Sequence, residues 1–528
     1  MLQKFISRIL ILFVSLFSMS AIADEAQYGH TTFPNSGADE AQPYFMEGLL
    51  MLHSFEYSDA RKAFQKAREI DAGFTMAYWG EAMTYYRVLW NEIELGKARA
   101  VLAELGETPQ VRANKAETKR ERDYIAALEV LLEESSDAER AIAFADAMET
   151  LAADNPDDEN AAAFYALALL GSSGPDRDFA IYMKSAAVSE AVIARNPLHP
   201  GAVHYLIHAY DDPIHAPLGL RPALTYADIA PAATHALHMP SHIFFPLGMW
   251  HEATRTNLKS FAAGKAWGER NDKPVNGGGA HALSWLVYSL LQEGKYKSAR
   301  DHLQQFQDIV AEDAARGGQF VETWAAYLVD TEYGDADFVD LEFDADKMPA
   351  RRSSMYYYVK AAAAIKAADL DNAEVYHERL AGLEMKLNDL NWSEKAKDVM
   401  LLELEALMHN AQGNTDQAVR LLQQATEIEY AMPRRFGPPW PPKPSHELLG
   451  EVLAEQGEHD AARQQFKIAL SLAKARSASL LGLARASAAQ GQDDEARRAY
   501  EALATNWSAA DTNFPALIEA RNLTGATQ

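Results

Sequence analysis

The feature that most restricts the fold of this 528-residue chain is a spacing, because small and large residues recur in one frame along most of its length. The first copy lies in PYFMEGLLMLHSFEYSDARKAFQKAREIDAG, Pro43 to Gly73, with Gly48, Tyr57, Ala60, Phe64 and Ala67 at its key positions. Gly248, Trp250 and Ala253 repeat the frame, as do Gly294, Tyr296 and Ala299, then Asp371 and Ala373, and Gly413 and Ala418. Gly450, Gly457, Ala462, Phe466 and Ala469 make another copy, and Gly491, Ala496 and Tyr500 the last. The step from Ala462 to Ala496 is 34 residues, and other steps are about ten longer, which places inserted loops between some copies. Small residues let two antiparallel helices approach closely, and large ones fill the groove between them. One hairpin cannot bury its apolar face alone, so successive copies must stack. No β-hairpin signal of any length is present.

This frame matches the 34-residue tetratricopeptide repeat. The expected fold is all-α, a tetratricopeptide-type α-solenoid of antiparallel helix pairs with inserted loops, the first helix of each pair facing the concave side. Met1 to Ala23 has the form of a secretory signal: Lys4 and Arg8, an apolar run from Ile9 to Phe17, and Ala21-Ile22-Ala23 as the cleavage site. Residues 24–40 then form a linker, 41–329 an N-terminal repeat array with a His-rich centre at 199–281, 330–349 an acidic connector, and 350–528 a C-terminal array. The acidic segment lacks the D-x-D-x-D-G order and closing Glu of a calcium loop, and reads as solvated. An exported, periplasmic protein is expected, with no membrane insertion after cleavage, since no later stretch is long and apolar enough to span a bilayer. The net charge of −26 becomes −28 once Lys4 and Arg8 are removed, which argues against nucleic acid as a partner. With no cysteine in the chain, thiolate metal sites and cysteine nucleophiles are excluded.

Chemistry concentrates in one stretch. Seven of the sixteen histidines fall between His199 and His242. As a helix starting after Pro197 and Pro200 and stopped by Pro213, residues 201–212 put Val203, Leu206, Ile207 and Tyr210 on one side and His204, His208 and Asp211 on the other. Two histidines four apart on a helix can share one metal ion, and an added Asp gives a set suited to zinc or non-haem iron. Tyr205 stands where H-E-x-x-H has its Glu, so the zinc-protease motif fails. His238 and His242 have the same spacing, but Pro240 between them biases Met239 away from helical geometry. His215 and His235 sit in Pro-rich turns. The candidate metal ligands are therefore His204, His208, Asp211, His238 and His242, with Zn, Fe or Cu as the possible ions. Three readings stay open for this cluster: a metal site, a ligand-binding or acid–base cleft, and an ordinary polar helix face.

Further ligand-binding candidates are His53 on the inner helix of the first repeat, His281 after the loop NDKPVNGGG, and Arg434, Arg435 and His446 within the segment MPRRFGPPWPPKPSHE. A lone histidine is also satisfied by burial and hydrogen bonding. The Pro-rich segment either closes over an anion or braces the repeats, and the brace is the better reading.

The segments MAYWGEAM (76–83), HPGAVHYLIHAYDDPIHAPLGL (199–220), HALHMPSHIFFPLGMW (235–250) and GPPWPPKPSHELLGE (437–451) resemble those of secreted bacterial tetratricopeptide-repeat proteins, over most of the chain after the signal. The resemblance implies a repeat solenoid with a His-rich centre, and no reaction. The functional expectation is a periplasmic repeat protein that binds a protein, peptide or small ligand in its concave groove. The alternative is a metal-dependent hydrolase or oxygenase using the His/Asp cluster.

Overall fold

The structure, a computed structural model, describes residues 27–524 except 91, 175, 176, 386–389, 434–436 and 513. The signal segment 1–23 and the pair Arg434 and Arg435 lie outside the described residues. Among these residues the chain is helical almost throughout, the exception being a two-residue hairpin that pairs Tyr86 with Ile93 and Arg87 with Glu92. That hairpin carries no turn signature between its strands, so no local pattern announces it. No helix among the described residues is long and apolar enough to cross a membrane.

The chain divides into two units, Met1–Asp211 with Leu218–Pro240, and Asp212–Pro217 with Ser241–Gln528. The first unit runs through the helix pairs Gln42–His53 and Tyr57–Ile70, Thr75–Met83 and Leu95–Leu105, Lys119–Leu131 and Asp137–Asp154, Glu159–Ser172 and Phe179–Arg195, and Pro200–Tyr210 and Leu220–Ile229. The second continues from Trp250–Asn271 and Gly277–Gln292 to Ser477–Ala489 and Asp493–Asn506. Consecutive helices pack on each other in both, as an all-α, tetratricopeptide-type solenoid requires.

Two packing devices account for the sequence frame. The first is a phenylalanine clamped by glycines. A Cβ at Gly48 would lie 3.0 Å from the Phe64 ring and one at Gly80 only 2.4 Å, so Phe64 seats itself between the first helices of two successive pairs. Phe466 does the same with Gly450 (2.9 Å) and Gly482 (2.3 Å) in the second unit. The second device is a left-handed residue that closes the first helix of a pair. Gly294, Gly413, Gly457 and Gly491 adopt φ between 66° and 80° there, and the following amide reaches back to the helix, as Lys295 N–H does to Leu290 O at 2.9 Å.

Residues 330–349, expected to be a solvated connector, are instead packed. Ala336–Val339 is helical, and Phe338 and Ala345 are buried in the core that runs from Phe261 to Leu404. Trp324 Nε1 donates to Phe338 O at 2.8 Å, and the Phe343 ring stands edge-on to Trp324 at 5.2 Å. Most acidic side chains face outward, Glu332, Asp337, Asp340, Glu342, Asp344 and Asp346 among them, while Asp330 and Asp335 pair with arginines and the apolar residues between turn inward. The charge run hid that alternation. In the same unit a fully buried Arg476 joins Glu447 (2.9 Å) and Asp330 (2.5 Å), fixing three segments by one guanidinium.

Candidate metal centre in the N-terminal unit

The helix Pro200–Tyr210 starts on His199, whose Nδ1 accepts the Ala202 N–H at 3.2 Å, with Pro200 in the first turn. Every residue of this helix is buried. The stripe of His204, His208 and Asp211 is therefore not a solvent-facing polar edge. These three side chains are at most 2% exposed.

His204 Nδ1 donates to the carbonyl of His53 at 2.8 Å. That bond fixes the tautomer and leaves Nε2 as an unprotonated nitrogen, the form in which imidazole binds metal. His208 Nε2 and His235 Nε2 each lie 3.1 Å from it. One lone pair serves one N–H donor well, so two imidazoles aimed at the same nitrogen are poorly explained by hydrogen bonding alone. All three ligand atoms lie within 4.8 Å of one another. Ligands about 2.0–2.1 Å from a tetrahedral zinc ion would stand roughly 3.3 Å apart, close to this spacing.

The surroundings orient the rings. Asp211 Oδ2 stands 3.5 Å behind His208 Nδ1, and Arg177 holds the other carboxylate oxygen at 2.7 Å. Within this unit Asp211 thus takes the place of a carboxylate behind a ligating histidine, and His235 supplies the third imidazole. His235 stands second in the short helix Thr234–His238, where a Pro-rich turn is expected from sequence, and its N–H donates to Glu56 Oε1 at 3.0 Å. Burial raises the half-buried Glu56 carboxyl to about 7, despite the amide donors that oppose this. Tyr226 stacks on His204 at 5.4 Å and donates to Ser54 Oγ at 3.3 Å.

Phe55 caps the cluster. Its ring lies 4.4 Å from His204, 5.4 Å from His235 and 6.1 Å from His208. It reaches them from φ 59°, in the left-handed slot that four other pairs give to glycine. The hydrogen bonds are the same as there: Phe55 N–H to Leu52 O at 3.1 Å and Glu56 N–H to Met51 O at 3.0 Å. An L-residue in that conformation is strained, and Glu332 (φ 50°) and Ala368 (φ 60°) fill the same slot elsewhere in the chain, so the position marks a variation in the repeat. The frame itself carried this signal, since Phe55-Glu56-Tyr57 aligns with Gly294-Lys295-Tyr296.

His53 is closed off: Nε2 donates to Asn160 Oδ1 at 3.0 Å, Nδ1 accepts from Tyr205 OH at 2.9 Å, and the ring stacks on Phe164 at 4.4 Å. Burial drives its pKa down to about 4. Its side chain therefore serves packing, correcting the ligand-binding expectation, while its carbonyl orients His204. Gly201 makes room for the ring, since a Cβ there would stand 2.2 Å from His53 Nδ1. His238 ends the helix Thr234–His238, 6.1 Å from the His235 ring. Met239 keeps a helical backbone (φ −52°, ψ −35°), against the bias of Pro240, yet His242 lies on a separate helix, Ser241–Leu247. His238 belongs to the first unit and His242 to the second. In the second unit His242 stacks on Trp285 at 4.6 Å, with the His281 ring 6.5 Å away. His446 Nδ1 meets Gln465 Oε1 at 2.7 Å, a link between neighbouring helices.

Tetratricopeptide-repeat models match residues 399–424, 444–466 and 478–508. No curated protein matches the chain. Similar solved structures include a human IFIT1 dimer with m7Gppp-AAAA, at 13% identity over 93% of each chain and a TM-score of 0.37. The APC/C hetero-tetramer Cut9–Hcn1 is similar at 12% identity over 97% of this chain and 81% of that one, with a TM-score of 0.33. Yeast Tom70 follows at 11% identity over 92% and 88%, with a TM-score of 0.28. The repeat frame, the helix pairs and the model matches agree: the chain carries tetratricopeptide repeats, most regular in its C-terminal part.

Proposed function

We propose that this chain is an exported tetratricopeptide-repeat protein whose N-terminal unit binds a transition-metal ion on His204, His208 and His235. The observation that carries the reading is the convergence of three Nε2 atoms, those of His204 and His208 buried and that of His235 partly so, the first with its tautomer set by a backbone carbonyl. Imidazole ligands suit zinc, copper and iron, and the chemistry of the set does not favour magnesium or calcium. Three protein ligands leave a fourth position on a tetrahedral ion for water or a substrate atom, the pattern of catalytic rather than structural zinc. The repeats supply a scaffold suited to holding a protein partner.

The test is metal analysis of the untagged, full-length protein after equilibration with zinc, copper(II) or iron(II) and removal of free ion without chelators. About one equivalent of one of these ions is expected, falling to near none in His204→Asn and His235→Asn. A wild-type protein that stays folded and retains less than about a tenth of an equivalent of all three would overturn the proposal.

A further inference from the structure

In the second unit some turns from one pair to the next are short: residues 473–476 alone lie between the helices His459–Leu472 and Ser477–Ala489. Between Thr415–Ala431 and Ser445–Glu455 the chain instead spends residues 432–444. Its latter part, GPPWPPKP from Gly437 to Pro444, is five-eighths proline, so it has few amides to donate, and it bends at Gly437, Pro438 and Trp440 to Lys443, with a cis Trp440–Pro441 bond. Such a segment holds its place only through what it touches.

It touches the first helices of several pairs. Gly437 sits against Trp285 of Gly277–Gln292, where a Cβ would lie 2.7 Å from the indole. Trp440 stacks on Trp392 of Leu390–Ala411 at 4.3 Å and 18°, and Arg351 of Ala350–Lys366 lies over it at 4.8 Å. Upstream, Pro433 O accepts Trp392 Nε1–H at 3.1 Å. Pro441 and Pro442 are buried, and Lys443 reaches Glu447 at 3.0 Å and Glu451 at 2.6 Å on Ser445–Glu455. An aromatic shelf, a cation over the inserted indole and an acidic pair for the lysine are the kinds of contact with which grooves hold proline-rich peptides.

We infer that residues 437–444 act as a built-in ligand, occupying in cis a track on which this unit takes, in trans, a proline-rich segment bearing a tryptophan and a lysine. Tethering gives the strap a high effective concentration, so an outside peptide of similar affinity binds only when the strap is displaced. This inference is independent of the metal centre.

The probe is a synthetic GPPWPPKP peptide, titrated against the full chain and against a full chain in which residues 438–443 are replaced by a Gly/Ser sequence of equal length. The replaced chain should bind the peptide at least about tenfold more tightly than wild type, more weakly at high salt, and about tenfold less when the peptide's tryptophan is alanine. A replaced chain that keeps its helical circular dichroism and does not bind, or a wild type that binds equally well, overturns the inference. If the replacement unfolds the unit, the variant W440A/K443A decides. Hydrogen-exchange protection of Leu390–Ala411 and Ser445–Glu455 should fall in it and return when the peptide is added. Protection that the peptide does not restore overturns the inference.

Discussion

Phe55 offers the sharpest test of how the histidine cluster is built. It is 9% exposed, and its ring contacts three imidazoles, so Phe55→Ala should cost about 3–5 kcal/mol, the range for truncating a buried phenylalanine. Alanine keeps the Cβ, however, and at φ 59° an L-residue carries roughly 1–2 kcal/mol of strain. Phe55→Gly loses the same ring but releases that strain. In an ordinary helical position glycine is about 0.5–1 kcal/mol worse than alanine. Here the order should reverse, with the glycine variant about 1 kcal/mol more stable than the alanine variant. Gly457 is the control: its φ is 80° and a Cβ would meet nothing within 4 Å, so Gly457→Ala should cost only the strain, about 1 kcal/mol. A chain of two units need not unfold in one step. The assay is therefore native-state hydrogen exchange of the amides in Gln42–His53 and Pro200–Tyr210, on metal-free protein. If Phe55→Gly proves less stable than Phe55→Ala, the left-handed slot is not what the repeat frame makes it. If neither variant loses protection, the ring does not hold the cluster.

Three further outcomes follow from the same geometry. His53, held near 4 against 6.5 in an unfolded chain, binds its proton less readily when folded; its stabilisation is present above pH 6.5 and lost as pH falls toward 4. The loss approaches about 3 kcal/mol, so urea midpoints measured from pH 7 to 4.5 should fall less steeply in His53→Gln, and an unchanged slope would refute the assignment. Glu403 runs the other way: burial first, with Glu429 nearby, raises it from 4.5 to about 8, so its contribution is full below pH 4.5 and lost as pH rises through 8. Glu403→Gln should therefore melt above wild type at pH 8.5 and not at pH 4.5, by an amount bounded at about 5 kcal/mol. Gly482→Ala, which would place a Cβ 2.3 Å from the Phe466 ring, should destabilise the second unit by about 1–3 kcal/mol in thermal melts; a neutral result would mean that the phenylalanine clamp has slack.

The repeat frame was legible because its determinants are local: Gly457 and Gly491, and Ala462 and Ala496, follow one another 34 residues apart. The i, i+4 pair His204 and His208 was legible for the same reason, since helical geometry alone puts both on one face. His235 was not, because a five-residue helix between Pro231 and Pro240 looks like a turn until its packing is known. The place of Asp211 beside His208 was legible from the helix, but the distance that sets it behind the ring, with Arg177 on its other oxygen, was not. The residues 330–349 looked solvated because charge dominates their composition, whereas Phe338 and Phe343 decide their position.

By itself, then, the sequence determined the helices, the repeat that stacks them and the stretch where chemistry gathers, all of which depend on neighbours a few residues apart. Tertiary structure alone decided the site. It brought the His53 carbonyl to a ring 151 residues away and the Glu56 carboxylate to an amide 179 residues away, and it turned Phe55 onto both. Contacts at such separations come from how helix pairs stack, and no local pattern encodes them before the chain has closed on itself.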